Sequence, residues 1–74
     1  MVIGGDHMFP NLLGQKAFRK MSNEDMANVI GVNRTTYESK MRSGRFIASE
    51  CDAYCKFFDK PFAYLFATED STQN

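Results

Sequence analysis

The chain has 74 residues, nine of them basic and nine acidic, with one histidine, two cysteines and a formal net charge of zero. That length allows one domain and one small core, and burying only ~60% of the unfolded surface limits its stability. No apolar run approaches the ~20 residues of a membrane span, and no secretory leader is legible, so a cytoplasmic protein is expected.

Residues 1–8, MVIGGDHM, differ in character from the rest of the chain. The Gly-Gly pair and the His-Met junction before a second start at Met8 read as a cloning remnant or a disordered leader. The folded domain is therefore expected over residues 9–67, with a polar, frayed tail over 68–74. A first helix begins near Pro10, because proline is tolerated in an opening turn. Leu12, Leu13, Ala17 and Met21 make its apolar stripe, with Phe18 beside it. Gly14 weakens this helix by ~1 kcal/mol relative to alanine.

Ser22 is placed to cap a second helix, with Asp25 three residues on, as in a capping box. Met26, Ala27 and Ile30 form its inner face, and Gly31 suits a left-handed helix end. Val32 is a single apolar residue in the turn, and Asn33 caps a third helix running from Arg34 to Arg42, closed by Ser43 and Gly44. A fourth helix is expected after Ser49, with Asp52 three residues later. Its stripe is Cys51, Tyr54, Cys55 and Phe58. Asp59 and Lys60 interrupt it, and Pro61 opens a short fifth helix carrying Phe62, Leu65 and Phe66. No stretch alternates with period two. The expected fold is all-α, with five helices and no sheet.

Charge is unevenly placed. Residues 14–45 carry Lys16, Arg19, Lys20, Arg34, Lys40, Arg42 and Arg45 against Glu24, Asp25 and Glu38. Residues 46–74 carry two lysines against five acids. A basic half beside an acidic half suits a protein with one anion-facing side. Cys51 and Cys55 lack the two-residue gap of a zinc hook or redox pair, and His7 is remote, so no metal is expected and both thiols read as small hydrophobes. Without a usable histidine, a phosphate-cradling glycine loop or a carboxylate pair, neither an enzyme nor a cofactor is expected.

The unit from Asn23 to Gly44 carries the functional signal. Ala27 is small where the following helix must approach, Gly31 turns the chain, and Val32 plugs the gap. Two short helices so joined meet steeply, the arrangement that lays the second in a DNA major groove. At ~100° per residue, Arg34, Glu38, Arg42, Thr35 and Ser39 share an arc of roughly 140°, while Tyr37 and Met41 point back to the core. Arginine can grip guanine O6 and N7, hydroxyls suit several base edges, and glutamate can accept from cytosine N4. A solvated helix face offers the same residue types. The aromatics Phe57, Phe58, Phe62 and Phe66 lie outside the basic half and read as core or dimer packing.

The run MSNEDMANVIGVNRTTYESKMRSG resembles the phage repressor and Cro-type helix-turn-helix family, through Met21, Ser22, Met26, Ala27, Ile30, Gly31, Val32, Thr36 and Tyr37. The likeness extends weakly to Phe66 and covers residues 9–66. It implies a five-helix repressor-like DNA-binding domain with base contacts from Arg34, Thr35, Glu38 and Ser39. Asn23 stands where the family usually has a phosphate-binding glutamine, with the same amide on a shorter stem. Asn33 joins it as a phosphate candidate, and charge and location add Lys16, Lys40, Arg42 and Arg45. Asp59 replaces the glycine usual after the fourth helix, and Lys60 an apolar residue.

The expected function is sequence-specific binding of double-stranded operator DNA by a homodimeric transcriptional regulator, with half-sites ~34 Å apart. A rival reading is a protein-interaction module that binds and modulates a partner repressor. Zero net charge and Glu38 on the reading arc favour that rival.

Overall fold

The computed structural model describes residues 8–68, and within them the chain is all-helical. Five helices follow in order: α1 (Pro10–Phe18), α2 (Asn23–Ile30), α3 (Arg34–Ser43), α4 (Ala48–Phe58) and α5 (Phe62–Leu65). Residues 1–7 and 69–74, which hold most of the expected leader and tail, lie outside the described residues. Met8 does not belong with the leader: its side chain packs on the core and lies against Gly44. Among the described residues no helix is long and apolar enough to cross a membrane.

The first helix ends earlier than its stripe suggests. Lys20 adopts φ 57°, and the amides of Lys20 and Met21 donate back to the carbonyls of Ala17 and Lys16. This is the hydrogen-bond pattern of a Schellman stop with lysine in the place that favours glycine. Met21 consequently leaves the helical register, Ala17 is exposed, and Phe18 is 81% exposed. Gly14 faces open space on this helix, so Gly14→Ala is expected to raise stability by about 1 kcal/mol in chemical denaturation. Gly31→Ala, equally unobstructed but at φ 75°, is expected to lower it by about the same amount.

The second and third helices start and stop at the expected signals. Ser22 Oγ accepts from the Asp25 amide at 3.0 Å, and Asp25 Oδ2 accepts from the Ser22 amide at 2.9 Å, a complete capping box. Gly31 is left-handed, and Val32 donates to Ala27 O at 3.1 Å. Asn33 Oδ1 then accepts from the Thr36 amide at 2.8 Å to open α3. That helix runs one residue beyond the expected end, to Ser43, and Gly44 closes it at φ 75°.

The fourth helix begins at Ala48, ahead of the expected Ser49 cap. The acid that fixes its start is Glu50, not Asp52: Glu50 Oε1 accepts from the Ile47 amide at 3.1 Å. Isoleucine has no side-chain acceptor to return the bond, so only half of a capping box forms. At the far end Asp59 takes φ 57°, the left-handed geometry that glycine adopts most cheaply.

The core gathers Leu12, Met26, Ala27, Tyr37, Met41, Tyr54, Phe58 and Leu65, with Phe9 sealing one end. Phe46, from the α3–α4 connection, sits among the rings of Phe9, Tyr37, Tyr54 and Phe66 at centroid distances of 5.7–6.5 Å. Tyr54 donates its hydroxyl to Met26 O at 2.8 Å, which ties α4 to α2. Of the four phenylalanines read as packing residues, Phe58 is buried and Phe66 half-buried, whereas Phe57 and Phe62 are exposed.

Two buried tyrosines give the fold an alkaline limit. Burial, with the Glu38 charge adding to it, pushes the Tyr37 hydroxyl up to about 12. Burial, then the Tyr37 and Glu50 charges, push Tyr54 up further. The unfolded chain therefore releases these protons first, above about pH 10. Stability is fully present below that pH and falls by about 1.4 kcal/mol per pH unit for each tyrosine as pH rises. Urea denaturation should report a stability lower by about 4–6 kcal/mol at pH 12 than at pH 9. An unchanged stability across that window would contradict the burial of both hydroxyls.

Candidate nucleic-acid interface

The α2–turn–α3 unit is anchored from within. Tyr37 and Met41 on the inner face of α3 are buried beside Met26 and Ala27 of α2. Packing of those four residues fixes α3 against α2 and leaves the other face of α3 to solvent. Arg34, Thr35, Ser39 and Arg42 are exposed there, and Glu38 is half-buried. The arc expected at helical periodicity is thus the exposed one.

Its electrostatics are not those of a simple basic face. Arg34 Nη1 lies 2.9 Å from Glu38 Oε2, with side-chain exposures of 60% and 29%. The same oxygen accepts from Asn23 Nδ2, also at 2.9 Å. The Asn23 amide above all, together with the Arg34 hydrogen bond and the Arg34 and Arg42 charges, holds the Glu38 carboxyl below the usual carboxylate range. The amide of Asn23 is therefore engaged with α3 rather than directed freely at solvent.

Among the expected phosphate residues, the structure brings Lys16, Asn23 and Arg42 to one cleft of about 500 Å³ between α1, α2 and α3, where Glu38 also sits. Arg45 is exposed just beyond Gly44. Asn33 is exposed, with Oδ1 committed to its cap and Nδ2 left to donate.

Lys40, also expected at phosphate, is engaged within the fold. Its ammonium lies 3.2 Å from Glu50 Oε1, with only 21% of the side chain exposed, so it braces α3 to the start of α4. The signal was available: Lys40 stands roughly 240° around the helix from Arg34, away from the outward arc. The tie of Asn23 to Glu38 had no comparable signal, since it spans 15 residues and depends on how α2 and α3 pack.

A second concavity lies between α2 and α4, lined chiefly by Met21, Val29, Ala53 and Phe57, with Asp25 and Lys56 also on its wall. Arg19 sits over the rings of Phe57 and Phe58 at 5.4 and 5.2 Å. The thiols of Cys51 and Cys55 are free, and burial pushes both up from their ordinary value. Among the described residues no three potential ligands cluster as a metal site.

Comparison with family models, curated proteins and solved structures finds no match to this chain.

Proposed function

We propose that the protein is a sequence-specific DNA-binding transcriptional regulator of the phage repressor and Cro-type helix-turn-helix kind. The observation that carries this reading is the outward face of α3: Arg34, Thr35 and Ser39 are exposed with Glu38 between them, on a helix anchored by buried Tyr37 and Met41. A helix so held can enter the major groove with its first two turns against base edges. Arg34 suits the paired acceptors of guanine, Thr35 and Ser39 offer hydroxyls, and Glu38 accepts from an amino group. Lys16, Arg42, Arg45 and the Asn33 amide flank this surface as phosphate contacts.

Three such cations per chain predict a modest salt dependence, with log affinity falling by ~0.9 per log unit of salt for each phosphate neutralised. Two copies on half-sites ~34 Å apart would supply the affinity that one module lacks. The regulator would act in the cytoplasm, by covering an operator against polymerase or a competing repressor.

A second reading, a module that docks on a partner repressor, draws support from the apolar groove between α2 and α4 and from the pairing of Arg34 with Glu38. Titration of the protein with DNA flanking its own gene, at two salt concentrations and with or without a neighbouring repressor, separates the two. Tight, sequence-dependent binding by the protein alone is expected. Retention of DNA only when the partner is present would transfer the function to the protein surface.

A further inference from the structure

Glu38 carries the wrong sign for a surface that meets phosphate, yet it sits inside the outward arc of α3. Its Oε2 is taken twice at 2.9 Å, by a guanidinium nitrogen of Arg34 and by the amide of Asn23. Both donors are groups that a phosphate oxygen would otherwise engage. The carboxylate is the inner member of the pair and the guanidinium the outer one, by their exposures of 29% and 60%. Oε1 has no partner among the described residues.

We propose that Glu38 is the specificity-determining residue of this surface: an internal oxyanion that occupies Arg34 and Asn23 against the DNA backbone. The inference rests on the DNA-binding reading. A phosphate approaching either donor meets the carboxylate charge, so sequence-independent binding is penalised. The major groove can compensate where the backbone cannot. Guanine O6 and N7 take the guanidinium, and an amino group, cytosine N4 or adenine N6, donates to the carboxylate. The preferred duplex therefore carries a guanine beside a base with a major-groove amino donor, beneath residues 34 and 38.

The test compares the full chain with its Glu38→Gln and Asn23→Ala variants on two duplexes, one of random sequence and one recovered by the wild type from a random pool. Glutamine still accepts from Asn23 but removes the charge. Glu38→Gln is expected to bind the random duplex several-fold more tightly, with a salt slope steeper by ~0.9, because Arg34 becomes available to one more phosphate. Its ratio of recovered to random affinity should fall by a larger factor. Asn23→Ala retains the carboxylate on Arg34 and should keep the wild-type slope, which distinguishes charge from bracing. A Glu38→Gln protein with the wild-type slope and ratio would overturn the inference while leaving the DNA reading intact. A wild type that enriches no sequence from the pool and does not retain the random duplex would overturn both.

Discussion

Replacing Tyr54 by alanine is expected to cost this protein about 3–5 kcal/mol, the largest loss from any single truncation of its core. The ring is fully buried against Phe46, Phe58 and Phe66, and its hydroxyl is the buried tie from α4 to the backbone of α2. Truncating a buried aromatic costs about 3–5 kcal/mol, through lost transfer energy and the cavity left behind. At ~0.05–0.15 kcal/mol per residue, a chain of 74 residues holds roughly 4–11 kcal/mol in total. Tyr54→Phe keeps the ring and should cost only about 1 kcal/mol, the usual worth of one hydrogen bond. Urea denaturation of the two variants checks both figures. A Tyr54→Ala loss below about 1 kcal/mol would mean that the core is not centred on this residue.

The second large effect is functional. Arg34→Ala is expected to weaken binding to the preferred duplex by about 1–3 kcal/mol, roughly 5- to 150-fold, and to relax base preference at one position. The loss should fall toward the upper end, because removing the guanidinium leaves the Glu38 carboxylate facing DNA without its ion pair. Arg34→Lys retains the charge but not the planar fork, so it should keep the salt slope and lose much of the guanine preference. Competition titrations with single-base variants of the duplex read both. A footprint and base preference unchanged in Arg34→Ala would remove α3 from the reading role in this register.

Local chemistry made most of the fold legible in the sequence. Ser22 with Asp25, Gly31 and Asn33 each act within a few residues of their own position, and each does in three dimensions what its type and spacing require. The stripe of α4 was legible for the same reason, as Tyr54 and Phe58 are both buried. What escaped was set by long-range packing. Phe46 and Phe9 complete the aromatic core from outside regular helices, where periodicity says nothing. Lys20 takes left-handed geometry without being glycine, so the stop after α1 falls where no residue type announces it. Asp59 does the same after α4, at a φ of 57° that glycine would adopt at least cost. Glu50 rather than Asp52 opens α4 because one of its oxygens serves both the Ile47 amide and Lys40.

The candidate interface divides along the same line. That Arg34, Thr35 and Ser39 face outward follows from the helical repeat alone. That Glu38 binds both Arg34 and Asn23, while Lys40 turns inward to Glu50, depends on which helices meet. Fewer cations on this face are free than the sequence count implies, so on the proposed DNA-binding function base contacts would contribute a larger share of specific affinity.

Amide chemical-shift mapping on addition of a duplex recovered from a random pool tests the proposed DNA-binding role of α3 most directly. The largest changes are expected at Asn23 and from Asn33 to Ser39, with smaller ones near Lys16, Arg42 and Arg45. Changes concentrated instead on Met21, Val29, Ala53 and Phe57, with α3 unmoved, would contradict the assignment of α3 as the reading helix.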